Sequence, residues 1–306
     1  MRYRDAYDRG RAVLAQASVT EADTDARLLL EYVCGTDRNT LLAHGDREVT
    51  KEEEGRYREL TEKRSRHIPL QYLTGVQDFM GLEFSVNEQV LIPRQDTEIL
   101  VEEALRNLHD GMRVLDMCTG SGCILISMLR YSNDCEGVGA DISGEALKVA
   151  RENAEKLLGA RALTVRQEDP GEPGEFSGGS AGTHISFVQG DLFEKVEGKY
   201  DMVLSNPPYI RSRVIDTLMP EVQDHEPRQA LDGGEDGLSF YRRILEEIPG
   251  YLEKGGMLLF ETGYDQGEAV SRLMEEAGFL EVRVIKDYGG MDRVVCGILR
   301  FDDPVQ

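Results

Sequence analysis

The spacing of apolar residues changes along the chain, and the first change separates a helical region from the remainder of the chain. In the segment 25–33 the apolar residues cluster as they do on one face of an amphipathic helix. Thr50 followed by Glu53 forms a capping-box pattern, which predicts the start of another helix that runs toward Arg66. Strand-like alternation is scarce here, so residues 1–75 are predicted to form a small helical domain.

Residues 76–93 have a different pattern. Apolar and polar residues alternate over 79–86 around a glycine, which predicts a hairpin or an extended linker. Asp96 or Thr97 then has a side chain that can cap the next helix. The stretch 94–306 is predicted to be the second domain.

From residue 113 onward, short apolar runs alternate with segments that can be helical. Such runs are typical of buried strands in a parallel sheet with helices on both faces. The five runs are Arg113–Met117, 137–140, 185–188, 202–205 and 257–261. Two last runs, 280–286 and 293–300, are joined by a link too short for a helical crossover, so they are predicted to pair antiparallel. This pattern predicts an α/β fold with the seven-stranded Rossmann-like sheet of a methyltransferase rather than the sheet of a dehydrogenase.

Composition narrows the class of protein. The chain has 306 residues, which suggests about two domains at roughly 150 residues each. Its 35 Lys and Arg residues stand against 57 Asp and Glu residues, for a net charge of −22. That charge disfavours a broad nucleic-acid surface, because phosphate binding depends on Lys and Arg. Five cysteines without a Cys-x-x-Cys pair disfavour a disulfide scaffold or a thiolate metal site.

The sequence predicts neither a membrane segment nor a metal site. Its apolar runs are far shorter than the ~18 residues of a membrane span. No apolar run follows the first residues as it would in a signal peptide, so we expect a cytoplasmic protein. The five histidines show no metal-ligand spacing. The segment 168–182 is rich in Gly, Pro and Glu, and we expect it to be a mobile surface loop.

The first predicted parallel strand leads into a glycine turn ahead of a helix. The turn consists of Cys118, Thr119, Gly120, Ser121 and Gly122. Glycines allow backbone angles and a close ligand approach that a Cβ would obstruct. Taken alone, the turn is also consistent with a simple tight connection. Cysteine has a Cβ, so Cys118 is expected at negative φ unless the turn is strained there.

Acidic residues follow the next two strands and strengthen the case for a cofactor. Asp141 ends the second strand, where a carboxylate accepts hydrogen bonds from ribose hydroxyl groups in dinucleotide-binding proteins. The alternative role is a helix cap, for which Ser143 competes. Asp191 follows the third strand with Leu192 and either accepts the adenine amino group or is an ordinary turn residue. The three strand ends together favour an adenosine-containing cofactor.

The segment after the fourth strand is the most informative in the chain. It contains Asn206, Pro207, Pro208 and Tyr209. The prolines fix φ and remove two N–H donors, so the Asn206 side-chain oxygen and the Pro207 carbonyl are fixed acceptors. This pair can hold both hydrogens of an NH2 group on an sp² carbon while Tyr209 stacks on the planar group. The alternative is a rigid loop without chemistry.

These residues resemble the Asn-Pro-Pro-Tyr motif of S-adenosylmethionine-dependent methyltransferases that act on NH2 groups. The segments 69–75, 90–98 and 226–238 are similar to the linker, the entry helix and the post-motif segment of the peptide chain release factor N5-glutamine methyltransferases. The resemblance covers nearly the whole chain. It implies methyl transfer to the glutamine of the release factor Gly-Gly-Gln loop, with residues 1–75 docking the factor, and it leads us to expect a monomer.

The resemblance also implies a role for each candidate residue. The residues Cys118 to Gly122 would line the methionine part of S-adenosylmethionine, Asp141 the ribose, and Asp191 with Leu192 the adenine. Asn206, Pro207 and Tyr209 would be catalytic, Pro208 would help to hold the glutamine amide, and Asn206 would also border the cofactor. Cys118 stands where many members have glycine, and Leu192 where some have an aromatic residue.

Two other functions use some of the same features. A DNA or RNA base methyltransferase, acting for example on adenine N6, would share the Asn-Pro-Pro-Tyr motif. It would normally need a basic target-recognition region to grip phosphates, and the sequence contains none. A non-enzymatic adenosine-binding regulator would have no need of two fixed acceptors after the fourth strand.

Overall fold

A computed structural model of the chain describes residues 1–159, 165–166 and 182–300. The chain divides into two compact units. One consists of Met1–Val76 together with Leu218–His225, and the other of Gln77–Thr217 and Glu226–Gln306. Nearly all of the segment 168–182, for which a mobile loop is predicted, lies outside the described residues.

The first unit is helical, as predicted. The helices of its Met1–Val76 part are α1 (Tyr3–Gln16), α2 (Ala22–Cys34), α3 (Arg38–Ala43), α4 (Lys51–Arg64) and α5 (Leu70–Thr74). The predicted capping box is confirmed: Glu53 N donates to Thr50 Oγ1 at 3.2 Å, and Thr50 N donates to Glu53 Oε2 at 2.8 Å. The helix that it opens ends at Arg64, slightly earlier than expected. Tyr3, Leu29 and Tyr57 lie in the buried core of this unit.

The other elements are given in chain order. The strands and helices up to the fourth strand end are β1 (Val76–Phe79), β2 (Leu82–Ser85), α6 (Glu98–Asn107), β3 (Arg113–Met117), α7 (Cys123–Arg130), β4 (Glu136–Asp141), α8 (Gly144–Leu158), β5 (Val165–Arg166), β6 (His184–Gln189) and β7 (Tyr200–Ser205). The later ones are α9 (Ser212–Ile215), α10 (Pro220–Gln223), α11 (Ser239–Glu247), β8 (Leu252–Glu261), α12 (Gly267–Glu276), β9 (Phe279–Lys286) and β10 (Asp292–Leu299). Short 3₁₀ turns occur at Gln95–Thr97, Arg228–Ala230 and Ile248–Gly250.

All seven predicted strands lie in one sheet. Its order is β5-β6-β4-β3-β7-β8-β10-β9, so the two-residue strand β5 adds an eighth at one edge. The pairs from β6 through β8 are parallel, and β10 is antiparallel to both β8 and β9. The predicted antiparallel pair is therefore confirmed. Its second strand, β10, lies between β8 and β9. Strands β1 and β2 form the expected separate two-stranded sheet.

Buried side chains cover both faces of the large sheet, as the continuous apolar runs predict. One cluster joins the strands to α6, α7 and α8, and a second joins them to α11 and α12. The chain passes from β3 to β4 on one side and later places β7 on the other side of β3. In open α/β sheets such a reversal opens a crevice at the carboxyl ends of the strands.

Candidate active site

Strand register brings the predicted site residues to one edge of the sheet. Met117 is level with Ala140 of β4 and with Ser205 of β7, and Ser205 Oγ donates to the Met117 carbonyl at 2.7 Å. Cys118 and Asn206 each follow one of these paired residues directly. Asp141 is the next residue after Ala140. The glycine turn, Asp141 and the Asn-Pro-Pro-Tyr motif therefore lie at the carboxyl ends of three neighbouring strands, β3, β4 and β7.

The turn after β3 has an unusual backbone. Cys118, Gly120 and Gly122 have φ values of 64°, 55° and 79°, all in the left-handed region. The expected negative φ at Cys118 is therefore not found. Its positive φ costs roughly 1–2 kcal/mol for a residue with a Cβ. Thr119 N donates to the Ala140 carbonyl at 3.0 Å, and its hydroxyl donates to Asp116 Oδ2 at 2.6 Å. These contacts hold the turn against both strands.

The two glycines of the turn have different surroundings. A Cβ on Gly122 would lie 2.8 Å from Ile126 Cδ1 and 3.2 Å from Ala150 Cβ, so this glycine allows the turn to pack against α7 and α8. A Cβ on Gly120 would meet no atom within 4 Å. The backbone at Gly120 therefore faces open space, which fits the close approach of a bound group.

Asp141 fastens the turn to the end of β4. Its Oδ2 accepts from Gly120 N at 2.9 Å and its Oδ1 from Ser143 N at 2.8 Å. Burial raises the pKa of this carboxyl, and the backbone N–H groups of Ser143 and Gly120 oppose the rise. The cap of α8 is Ser143, whose Oγ accepts from Ala146 N at 3.1 Å. Asp141 is not the helix cap, and each of its oxygens keeps a lone pair for a further donor.

The residues after β6 are less clearly directed at a ligand. Asp191 Oδ2 accepts from Arg243 Nη2 at 2.8 Å, and about half of its side chain (47%) is exposed. Leu192 is buried, has a φ of 52° and belongs to the apolar cluster beside α11 and α12. Asp191 therefore already has a side-chain partner, with its other oxygen open to a second donor.

The Asn-Pro-Pro-Tyr motif is held at both ends. Asn206 Nδ2 donates to Thr97 Oγ1 at 3.4 Å, and Asn206 Oδ1 accepts no hydrogen bond from the described residues. At the other end, the Tyr209 hydroxyl donates to Glu261 Oε1 at 3.3 Å, and the Tyr209 carbonyl accepts from Gln266 Nε2 at 3.0 Å. The side chain of Thr97 makes no capping bond to α6, contrary to one of the two expectations for that helix start.

Segment 226–238 supports the motif from the side. Ile210 N donates to the Leu231 carbonyl at 2.9 Å, and Gly233 N donates to the Ile210 carbonyl at 2.8 Å. A Cβ on Gly233 would lie only 2.6 Å from Tyr209 Cα. At the start of the segment, Glu226 is buried and forms an ion pair with Arg94. The two segments 90–98 and 226–238, singled out separately in the sequence, therefore meet in the fold.

Two features of the site were not predicted from the sequence: Glu261 and the role of Thr97. Glu261 is 1% exposed at the carboxyl end of β8. Burial raises its pKa to about 7, while the hydroxyl groups of Thr97 and Tyr209 and the charge of Arg293 act to lower it. A carboxylate at the end of an apolar strand is the same signal that singled out Asp141. Glu261 ends the apolar run 257–261 and could have been singled out in the same way.

Other kinds of site are not found in the described part of the chain. Within residues 1–159 and 182–300, no group of three or more His, Cys, Asp or Glu side chains could hold a metal ion. No described helix is both long and apolar enough to cross a bilayer.

Comparisons with known proteins agree with the fold just described. Residues 108–175 match a family model described as a methyltransferase domain. The crystal structure of a methyltransferase from Pyrococcus furiosus shares the fold, with a TM-score of 0.52 and 17% identity, covering 79% of this chain and 100% of that one. The protein is a methyltransferase by fold and by domain.

Further comparisons place the chain in a narrower family of methyltransferases. Residues 5–75 match the PrmC N-terminal domain. The release factor glutamine methyltransferase of Geobacter sulfurreducens is 38% identical over 96% of this chain and 95% of its own length. The enzyme of the same name from Caulobacter vibrioides is 39% identical over 93% and 92%. The chain belongs to the release factor glutamine methyltransferase family.

Proposed function

We propose that this protein transfers a methyl group from S-adenosylmethionine to the side-chain amide nitrogen, N5, of the glutamine in the Gly-Gly-Gln loop of peptide chain release factors. The S–CH3 bond breaks as the N–CH3 bond forms, and the products are the methylated factor, S-adenosylhomocysteine and one proton, which the amide nitrogen loses to solvent. The observation that carries the proposal is the orientation of Asn206. Its amide nitrogen is engaged by Thr97, so its oxygen is available at a strand end level with the glycine turn.

The open space beside the turn and the acceptor oxygens near it fit S-adenosylmethionine. The space at Gly120 accommodates a group close to the backbone, as the methionine part would require. Asp141 can accept from ribose hydroxyl groups with the lone pairs that the backbone N–H groups leave. Asp191 and Leu192 would border the adenine, although Arg243 already occupies one Asp191 oxygen. When bound, S-adenosylmethionine supplies a methyl group on a positively charged sulfur.

The chain contributes orientation to the reaction rather than a base. Asn206 Oδ1 and the Pro207 carbonyl accept the two amide hydrogens, which turns the electron density of the nitrogen toward the methyl carbon. Pro207 and Pro208 keep this geometry fixed, and the Tyr209 ring stacks on the planar amide. Amide nitrogen is a poor nucleophile, and well-oriented reactants can gain up to roughly 7–11 kcal/mol from proximity.

The partner follows from the same assignment. A release factor would dock with the help of the helical domain, residues 1–75, and present its glutamine to Asn206. We propose that a single chain, residues 94–306 of which form the catalytic domain, acts as a monomer in the cytoplasm with no direct nucleic-acid contact. The net charge of −22 supports a protein substrate over a duplex.

A methylation assay tests the proposal. The purified protein is incubated with labelled S-adenosylmethionine and, in parallel, with an unmodified bacterial release factor, its Gly-Gly-Gln→Gly-Gly-Ala variant, and unmethylated DNA and RNA. Peptide mass spectrometry then locates the methyl group. We expect label on the release factor glutamine and none on the variant. Label on nucleic acid alone would instead establish a base methyltransferase and overturn the proposal.

A further inference from the structure

The side-chain amide of Gln266 joins three backbone segments beside the Asn-Pro-Pro-Tyr motif. Its Nε2 donates to the Tyr209 carbonyl at 3.0 Å and to the Gly237 carbonyl at 3.2 Å. Its Oε1 accepts from Gly263 N at 3.0 Å. Gln266 is 4% exposed and stands at the N-cap position of α12, but its side chain makes no capping bond to that helix. The amide instead connects the end of the motif, the segment 226–238 and the turn after β8.

The three partners fix the direction of the Gln266 amide. A carbonyl oxygen can only accept a hydrogen bond, and a backbone N–H can only donate one. A reversed amide would set its oxygen against two carbonyl oxygens and its NH2 group against an N–H, and all three bonds would be lost. Because every partner is a backbone group, rotation of a neighbouring side chain cannot replace them.

Two glycines leave the space that this amide fills. A Cβ on Gly237 would lie 2.6 Å from Gln266 Nε2, and a Cβ on Gly263 would lie 2.9 Å from Gln266 Oε1. Both distances are shorter than a carbon atom can approach a nitrogen or oxygen atom without displacing it. The amide is therefore closely confined between the end of segment 226–238 and the turn after β8.

The motif is short and stiff, so the position of its far end matters. At its start, Ser205 is paired in the sheet with Met117 of β3 and Phe260 of β8. The two prolines that follow Asn206 have a fixed φ, which leaves few backbone torsions free before Tyr209. Gln266 holds Tyr209 at its carbonyl, and the Tyr209 hydroxyl donates to Glu261 Oε1 at 3.3 Å. The residues at the end of β8 and just after it therefore hold the far end of the motif.

We propose that Gln266 is a positioning residue for methyl transfer. By anchoring the Tyr209 carbonyl it keeps Asn206 Oδ1, the Pro207 carbonyl and the Tyr209 ring in the places from which they orient the substrate amide. Gln266 acts through the backbone of Tyr209. This inference rests on the proposed function, because it concerns the acceptors that hold the glutamine NH2 group.

Gln266→Met and Gln266→Glu test the anchor. Methionine keeps the length of the side chain without its hydrogen bonds, and an ionised glutamate keeps the shape but cannot donate to the two carbonyls. We expect either variant to lower kcat about 10- to 100-fold, the range for a misplaced reacting group. The Kd for S-adenosylmethionine, measured by calorimetric titration, should stay within about twofold, since the glycine turn and Asp141 take no part in these bonds.

Gln77→Glu is the matched control for the same chemical change. Gln77 lies on β1, and its Nε2 donates to the carbonyl of the adjacent residue, Asp78, at 2.9 Å. This variant should keep kcat within about twofold of the wild-type value, because it removes a local bond of a hairpin residue.

Two further measurements separate positioning from a merely structural role. In an Asn206→Ala background, Gln266→Met should lower kcat less than about threefold further, because the motif has already lost an acceptor for the substrate amide. Gly263→Ala keeps the glutamine but presses a Cβ on its Oε1, and it should lower kcat at least about threefold. This variant also tests the anchor if the substitutions of Gln266 do not fold, as melting temperatures will show.

The outcomes are distinct. Wild-type kcat in folded Gln266→Met or Gly263→Ala, an equal loss in the Asn206→Ala background, or a loss of cofactor binding as large as the loss of kcat would each overturn the positioning role. None of these results would affect the methylation reaction of the wild-type protein. A wild-type protein that binds S-adenosylmethionine but does not label the release factor glutamine would overturn the proposed function and this inference with it.

Discussion

At the scale of single residues, the proposed roles separate holding a cofactor from orienting an acceptor. Asp141 is tied to the backbone of the glycine turn through Gly120 N and to the start of α8 through Ser143 N. Among the described residues the side chain of Asn206 makes one hydrogen bond, from Nδ2 to Thr97 Oγ1. The side chains at these neighbouring strand ends are therefore expected to have different roles. Substitutions at one should change the Kd for the cofactor, and substitutions at the other should change kcat.

We expect Asn206→Ala to lower kcat about 100-fold while the Kd for S-adenosylmethionine changes little, because the alanine no longer orients the amide. Asp141→Ala should instead weaken cofactor binding first, since it removes the ribose acceptor and releases the turn at Gly120. Steady-state kinetics with a release factor and calorimetric titration with the cofactor measure the two effects. Loss of cofactor binding in Asn206→Ala with normal turnover at saturation would contradict this division of roles.

At the scale of secondary-structure elements, glycines decide how closely segments approach. Segment 226–238 runs beside the Asn-Pro-Pro-Tyr motif at backbone contact, with Gly233 against Tyr209 and Pro208. No side chain fits between them. The same segment anchors Arg94 through buried Glu226, so it supports the site at two points.

We expect Gly233→Ala to lower kcat at least about tenfold, because a Cβ 2.8 Å from the Pro208 carbonyl must displace the motif and its two acceptors. Gly250→Ala is the matched control, since a Cβ there meets no atom within 4 Å. Both variants are compared by steady-state kinetics and by melting temperature. Equal kcat in the two variants would show that the close approach does not set the position of the motif.

At the scale of the whole molecule, the helical unit is completed by chain from much later in the sequence. Leu218–His225, which includes α10, belongs to this unit. Arg64 donates through Nε to Asp25 at 2.7 Å and through Nη2 to Glu221 at 2.9 Å. The side chains of Arg64 and Asp25 are only 7% and 8% exposed. Burial raises the pKa of Asp25, whereas hydrogen bonds, including those from Arg64 and His67, lower the pKa of Glu221 against the effect of burial.

Arg64→Met should lower the free energy of unfolding by about 3–5 kcal/mol at about pH 8, because it leaves buried Asp25 and partly buried Glu221 without their cation. The difference from wild type should shrink as the pH falls. Stability from a lowered Glu221 pKa is lost in the wild type as the pH drops through that pKa, and protonation removes the uncompensated charges in the variant.

Urea unfolding followed by circular dichroism at about pH 8 and about pH 3 measures this difference, because the lowered pKa of Glu221 places its protonation below the ordinary range of a glutamate. Arg66→Met is the control, because its ion pair with Glu62 is mostly exposed and such pairs contribute no more than about 1 kcal/mol. Equal destabilisation in the two variants would show that the buried cluster does not stabilise the helical unit.

Features that depend on neighbours along the chain could be predicted from the sequence alone. The apolar runs identified β3, β4, β6, β7 and β8, because a strand buried on both faces needs an uninterrupted apolar stretch. The Thr50 capping box and the antiparallel last pair follow from local spacing in the same way. The candidate residues at the strand ends could be named for the same reason, since parallel strands end on one edge.

The partners that those residues face are set by the tertiary structure. The position of β10 between β8 and β9, the pairing of Arg94 with Glu226, and the return of Leu218–His225 to the helices all join parts of the chain far apart in sequence. The sequence around a residue does not show which distant residue it contacts. Thr97 shows the limit most clearly: its sequence context fits a helix cap, but its hydroxyl group contacts Asn206, 109 residues further on. That contact is a property of the fold, because Thr97 precedes α6 and Asn206 follows β7, and only the folded chain brings these two elements together.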